Sequence, residues 1–220
     1  RKLMRFEKQI THADCILSVS EADLTYFKKT YPNTPSIYLP SFHGFDELQC
    51  KTGKGDFILY HGNLSISENY NAALWLIENV FSKLTHPIII AGLNPAPHLI
   101  ETIKKYTHIT LQQNCSEQEM QTLIEDAQIH CLYTQQPTGL KLKLLNVLYS
   151  GRFVISNTAM LNGTQLTNAC YIANTSKEYI NQINNLFSAE FSVVEIEKRK
   201  TIISPMDNTK KTSELIALIS

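Results

Sequence analysis

Lys141 and Lys143 are the residues whose types and spacing most clearly suggest chemistry. They fall in the stretch 128–157, Q-I-H-C-L-Y-T-Q-Q-P-T-G-L-K-L-K-L-L-N-V-L-Y-S-G-R-F-V-I-S-N, just where a helix is expected to begin. The first turn of a helix carries partial positive charge and unpaired amide N–H groups, so acids are preferred there and lysines are mildly unfavourable. Two cations at such an end make sense if an anion docks between them, and phosphate is the usual guest. The plainer alternative, that both side chains run out into solvent, stays open on charge alone. Asn146 follows on the same predicted helix, and Thr138 and Gly139 form the loop before it.

The elements around the lysines can be read from periodicity. Residues 129–134 are short, apolar and β-branched or aromatic, as a buried strand should be. Pro137 and Gly139 break the pattern, Leu140, Leu144, Leu145 and Leu148 recur at helical spacing, and Gly151 stands where a helix stop is expected. Residues 152–156 make the next strand. The same rhythm begins at Asp56, with strands predicted at 57–61, 87–91 and 108–111 and a further one at 170–173. Amphipathic helices are predicted at 68–84, with Ala73, Trp75, Leu76, Val80 and Phe81 inward, at 97–105, and from the capping box Ser116-Glu117-Gln118-Glu119 to about 127. Helices at 178–187, 193–201 and 213–219 close the chain. At the front, 1–10 reads as the end of a helix with Leu3, Phe6 and Ile10 on one side. A strand at 13–19 follows, then a helix opened by Ser20 and Asp23 with Leu24, Tyr26 and Phe27 as candidate buried residues, and a short strand at 37–39.

Such alternation predicts an α/β fold: a doubly wound, Rossmann-like parallel sheet with helices on both faces. Right-handed crossovers put the strand-to-helix turns on one edge, where open sheets bind ligands. Those turns, at 62–65, 92–95, 112–115 and 135–139, make one candidate site containing Gly62, Asn63, Gly92, Asn94, Gln112, Asn114 and Cys115, residues suited to hydrogen bonding a polar ligand. The expected organisation is 1–45 as the end of one domain and a crossover, 46–55 as a linker, 56–205 as the Rossmann-like domain, and 206–220 as a C-terminal helix.

Composition narrows the classes. The 220 residues are 43% hydrophobic and 18% charged, with twenty basic residues against twenty acidic ones. There is no basic field for nucleic acid and no apolar run of membrane-spanning length, so membrane contact is expected to be peripheral at most, and a cytoplasmic place is expected. The five cysteines form no C-x-x-C pair and are odd in number, which points to reduced thiols. The seven histidines form no H-x-x-x-H pair, so no metal site is predicted from spacing. Neither G-x-G-x-x-G, a Walker loop, a G-x-S-x-G elbow, a Ser-His-Asp arrangement nor paired carboxylates occur in the loops, which argues against NAD, P-loop and hydrolase chemistry.

Four segments together resemble the C-terminal, nucleotide-sugar-binding half of GT-B glycosyltransferases of the retaining, group 1 (family 4) type: Y-H-G-N-L at 60–64, I-I-A-G-L-N-P at 89–95, N-C-S-E-Q-E-M at 114–120, and T-G-L-K-L-K-L-L-N-V-L-Y-S-G-R-F-V-I-S at 138–156. A-D-C-I-L-S-V-S-E-A-D-L at 13–24 is similar to the end of the family's N-terminal half, so the resemblance spans most of the chain. It implies that Gly62 and Asn63 approach the donor phosphates, that 112–115 face the base, and that 138–143 hold pyrophosphate and sugar. The family's paired glutamates are absent: Thr138 and Asn146 stand at the matching positions, and Asn146 could bond ribose hydroxyls without charge.

The resemblance further implies a hexosyltransferase, of the mannosyl or glucosyl kind, moving sugar from a nucleotide-diphosphate donor to a glycan or lipid-linked acceptor in bacterial polysaccharide synthesis at the inner face of a membrane. It implies no cofactor and no metal, the nucleotide sugar being a substrate. Since acceptor binding in the family belongs mainly to the other half, this length of chain is expected to bind donor and not to transfer sugar alone. Two other readings stay open: a non-catalytic module that keeps the fold, and another nucleotide-sugar enzyme such as an epimerase.

Overall fold

The computed structural model describes residues 6–137 and 141–219. A small β-α-β unit comes first. β1 (Ile16–Ser18) and β2 (Ser36–Tyr38) pair in parallel with Leu17 opposite Ile37, joined by α1 (Glu21–Thr30). The Ser20 hydroxyl caps α1, accepting from the Asp23 N–H at 3.1 Å and donating to Asp23 Oδ2 at 2.7 Å. The predicted burial of Leu24, Tyr26 and Phe27 is not found: α1 has no buried residue. Two strands give the helix too little sheet to lie on, and Tyr26 instead donates its hydroxyl to Glu7 Oε1 at 2.6 Å. Phe6 is likewise exposed, and a 3-10 turn, Lys8–His12, stands where the first helix was expected to end; Leu3 lies outside the described residues.

The main sheet holds β3 (Ile58–His61), β4 (Ile88–Gly92), β5 (Ile109–Gln113), β6 (Ile129–Leu132), β7 (Phe153–Ser156) and β8 (Tyr171–Ile172). All pairings are parallel and the spatial order is β5-β4-β3-β6-β7-β8. This is the doubly wound order, with its reversal between β3 and β6. β3, β6 and β7 are buried throughout, which is why they read as unbroken apolar runs.

Helices cover both faces, as predicted. Ile58 and Tyr60 face one core with α2 (Ser67–Asn79), α3 (Pro97–Ile103) and α7 (Ser176–Phe187). Leu59, Leu132 and Val154 face the other, with α4 (Glu117–Asp126), α5 (Leu142–Ser150) and α6 (Thr158–Leu161). α8 (Val193–Ile203) touches both cores, and α9 (Asn208–Ile219) closes the chain. The capping box at Ser116 and Glu119 forms, and a second one at Thr175 and Glu178 opens α7.

Several boundaries differ from the sequence reading. α2 stops at Asn79 and a 3-10 turn, Phe81–Lys83, completes the segment read as helix to 84. Trp75 is half-buried and lies flat on Tyr133, with ring centroids 4.0 Å apart. β5 runs on through Gln112 and Gln113, which pair with Ala91 and Gly92, so Gln112 belongs to a strand and not to the turn assigned to it. α5 starts at Leu142, making Lys141 its N-cap and leaving only Lys143 in the first turn. α9 starts five residues earlier than predicted because Asp207 Oδ1 caps it, accepting from the Thr209 and Lys210 N–H groups at 2.7 and 3.1 Å. Gly151 does end α5, but at an ordinary φ of −94°. Close packing is the reason for glycine there: a Cβ would lie 2.2 Å from His130 Nε2.

Residues 46–55 carry no helix or strand, apart from a bridge between Gly53 and Phe191, yet they are fastened along their length. The Gln49 N–H donates to the Tyr149 carbonyl at 2.7 Å, the Gly55 N–H to Gln128 Oε1 at 2.7 Å, and Lys51 meets Asp126 at 2.7 Å and Glu125 at 3.2 Å.

Candidate functional site

At the reversal, the chain leaving β3 turns to one face of the sheet and the chain leaving β6 turns to the other, which opens a crevice at the carboxyl ends of the two strands. Its floor is built from the β3 end. Asn63 folds into an Asx turn, its Oδ1 accepting from the Ser65 N–H at 3.1 Å and the Ser65 hydroxyl at 2.7 Å. Asn69, in the first turn of α2, donates to the Asn63 carbonyl at 3.0 Å, and the Tyr60 hydroxyl donates to the Asn69 carbonyl at 2.7 Å. The β4 loop presses on this turn backbone to backbone. A Cβ on Gly92 would lie 1.8 Å from the Gly62 carbonyl oxygen, so no other residue fits.

The lysines complete the crevice from the β6 side, in two different ways. Lys141 Nζ pairs with Glu68 Oε1 at 3.2 Å, with both side chains mostly shielded from solvent. Glu68 Oε1 also accepts from the Thr134 hydroxyl at 2.5 Å. Burial by itself would raise the Glu68 pKa, but the Thr134 and Lys141 hydrogen bonds and the two lysine charges more than reverse this and hold it below the usual carboxylate range. Lys143 Nζ donates to Asn69 Oδ1 at 2.8 Å and lies 5.5 Å from the centre of the Tyr60 ring, and among the described residues no carboxylate is bonded to it. Burial, partly offset by Glu68 and reinforced by Lys141, brings its pKa down to about 8. His61, the last residue of β3, is pushed down to about 4 by burial and then by Lys143, so it is an uncharged imidazole at neutral pH.

The crevice has two lobes. One, of about 400 Å³, is lined by Gly62, Asn63, Gly92, Cys115 and Met120 among others. The other, of about 630 Å³, lies between Leu142 and Lys143 and the strap Phe42–Phe45. Their combined size suits a nucleotide-sized guest. The strap is held from the far end of the chain. His43 bonds the Met206 carbonyl at 2.8 Å, Asn208 bonds the His43 backbone, and the buried Lys211 ammonium donates to the Ser41 carbonyl at 2.7 Å.

Of the residues predicted for a site, Gly62, Asn63, Gly92, Cys115, Lys143 and Asn146 line the crevice. Asn94 and Asn114 line neither lobe. Both have left-handed backbone, at φ 48° and 57°, and they brace two loops: the Asn94 N–H donates to Asn114 Oδ1 and the Asn114 N–H to the Gly92 carbonyl, each at 2.8 Å. Gln112 is exposed at the end of β5, Lys141 is turned to Glu68, and Thr138 and Gly139 lie outside the described residues. His61, Glu68, Asn69 and the strap were not foreseen. His61 carried a signal, a polar residue ending an apolar strand, whereas Glu68 and Asn69 look like an ordinary first helical turn. Among the described residues no group of His, Cys, Asp or Glu is arranged to hold a metal ion. No described helix is long and apolar enough to cross a membrane.

No protein-family model and no curated protein matches the sequence. Solved structures do match. TarM from S. aureus, crystallised with fondaparinux, alpha-GlcNAc-glycerol and UDP, aligns with a TM-score of 0.73 and 10% identity over 99% of this chain and 46% of its own. Anabaena HepE, crystallised with UDP and glucose, aligns at 0.71 and 9% over 94% of this chain and 63% of its own. A glycosyltransferase from Rickettsia africae aligns at 0.67 and 13% over 93% and 62%. The fold is that of the GT-B glycosyltransferases. At these identities the correspondence is one of architecture, and the chain spans 46% to 63% of the length of the three structures.

Proposed function

We propose that the crevice binds a nucleotide-diphosphate sugar and that the chain is the donor-binding portion of a glycosyltransferase. In this reading it serves the transfer of a hexose, with retention, to a glycan or lipid-linked acceptor. The observation that carries the reading is Lys143. It is a half-buried ammonium with no carboxylate bonded to it among the described residues, standing at the switch point of a doubly wound sheet in the first turn of α5. A diphosphate placed there supplies the missing counter-charge, and Lys143 with the α5 N-terminus neutralises the charge that develops on the leaving group. Gly62 and Gly92 let backbone approach the phosphates, and Asn146 is the group offered to hydroxyls. Solved structures of the same architecture that hold UDP support this assignment. Acceptor contacts belong to the remainder of a two-domain cleft, so these 220 residues bind donor without turning it over.

The test is calorimetric titration with UDP-, GDP- and ADP-sugars. Saturable binding of one of them, weakened in Lys143→Met, is the expected result; heat of dilution alone for all three removes the reading. A second reading, a binding module without transferase activity, is favoured by Asn146 and by the engagement of Lys141 with Glu68. It predicts nucleotide binding with no transfer even when the chain is joined to its acceptor-side partner domain.

A further inference from the structure

We infer that Glu68 is a specificity-determining residue: a fixed negative charge beside the anion seat, which favours the esterified diphosphate of a sugar nucleotide over a free nucleoside diphosphate. The inference rests on reading the crevice as a sugar-nucleotide site.

A carboxylate is an unexpected neighbour for a bound anion, and this one is built in. Glu68 stands in the first turn of α2, next in the chain to Asn69, whose Oδ1 holds the Lys143 ammonium. Its Oε1 accepts from the Thr134 hydroxyl at 2.5 Å and pairs with Lys141 at 3.2 Å. Thr134 is itself 1% exposed and fixed by its neighbours. Asn157 accepts from the Thr134 N–H at 3.3 Å and donates to its carbonyl at 2.6 Å, and the Gln136 N–H donates to Thr134 Oγ1 at 3.0 Å. The hydroxyl proton is therefore committed to Glu68. A carboxylate tied in this way to a buried framework does not swing aside when a guest arrives. Attraction to the helix end accounts for an acid in this turn, but not for the lysine and the buried hydroxyl that converge on it.

The charges at the seat decide what it accepts. Lys141 and Lys143 are positive and Glu68 is negative, so two charges less one leave a surplus of one positive charge. Glu68 lines neither lobe, so it acts on a guest through its field and not by contact. That field reaches Lys143: Glu68 raises the Lys143 pKa, and does so more than Lys141 lowers it. Whatever anion Lys143 holds feels the same carboxylate as repulsion. Both phosphates of a sugar nucleotide are esterified on two sides and carry one charge each. The terminal phosphate of a free nucleoside diphosphate can lose a second proton, which for a phosphate monoester happens near about pH 6. At neutral pH the free diphosphate thus brings one more negative charge to the seat, and the fixed carboxylate resists it. In the proposed reading this favours the donor over the diphosphate released from it.

The experiment is calorimetry at neutral pH, without divalent metal, using UDP, GDP and ADP and the methyl ester of each on its terminal phosphate. The ester has the charge of a sugar nucleotide and no sugar. Wild type is compared with Glu68→Gln and with Glu117→Gln, since Glu117 is an exposed carboxylate on the smaller lobe and controls for the loss of any one negative charge. For the nucleotide that binds, Glu68→Gln should improve affinity for the free diphosphate by roughly five-fold more than for its ester, the scale of one nearby, partly screened charge. Glu117→Gln should leave that ratio within about two-fold of wild type. An unmoved ratio in Glu68→Gln overturns the inference, whether or not overall affinity changes, and so does an equal shift in Glu117→Gln. Absence of binding by every nucleotide in wild type overturns the sugar-nucleotide reading itself. Thermal unfolding of each variant is recorded alongside; if Glu68→Gln does not fold, Glu68→Ser replaces it and the same ratio decides.

Discussion

Glu68 and Lys141 meet at 3.2 Å across the switch point, one from the helix after β3 and the other from the N-cap of the helix after β6. The pair divides the work of two lysines that look alike in sequence. Lys141 is bound within the protein, whereas Lys143, held by the neutral amide of Asn69, keeps its charge for something else.

Unequal effects follow at these two positions. Lys143→Met should weaken binding of the best nucleotide diphosphate by roughly ten-fold or more, the scale of a lost charge-assisted hydrogen bond. Lys141→Met should change it by less than about three-fold while lowering thermal stability. Equal losses in titration calorimetry of the two variants would contradict the division.

The Lys143 pKa of about 8 makes anion binding sensitive to mildly alkaline pH. The ammonium is the attracting species, so affinity should be full below pH 8 and fall as pH rises above it, whereas Lys143→Arg should show a flat profile over the same range. Folding responds in the opposite sense. The group's folded pKa lies below its ordinary 10.5, so between these values the unfolded chain binds more protons and stability contributed by Lys143 rises with pH. Urea midpoints of wild type and Lys143→Met at several alkaline pH values check this: the difference between the two should shrink or change sign across the window.

Arg199 is a buried cation that holds backbone and not a ligand. Its guanidinium donates to the carbonyls of Leu148, Gly151 and Arg152, contacts Cys50 Sγ at 3.2 Å, and lies 4.8 Å from the Phe191 ring centre. Arg199→Met should cost about 3 kcal/mol or more in urea unfolding, because it leaves several buried carbonyls at the end of α5 unpaired. A loss under about 1 kcal/mol would mean that these carbonyls find other partners.

Asn208 makes two of the bonds that hold the strap from α9, accepting from the His43 N–H at 3.4 Å and donating to its carbonyl at 2.6 Å. Asn208→Ala should cost about 1–2 kcal/mol and speed amide hydrogen exchange across 42–45. Exchange there should slow again when nucleotide is added, because the strap forms one wall of the ligand lobe.

Local pattern was enough for the strands, the crossover helices and the edge of the sheet that carries the crevice. Strand periodicity, the capping box at Ser116 and turn residues such as Gly62 and Gly92 are short-range signals, and right-handed crossovers turn them into a topology. Such signals weaken at element ends. Gln112 and Gln113 read as turn because they are polar, yet β4 offers them a ladder partner, and α9 begins early because Asp207 caps it.

Partnership across the reversal was decided only by the tertiary structure. Lys141 and Lys143 sit in near-identical local sequence, and what separates them is that β6 lies beside β3, bringing Glu68 to one and Asn69 to the other. The same adjacency brings the Lys143 charge close enough to the buried His61 imidazole to lower its pKa further. Hydrogen bonds and charge shifts of this kind depend on which distant segments share a dielectric boundary, and one-dimensional spacing carries no record of that.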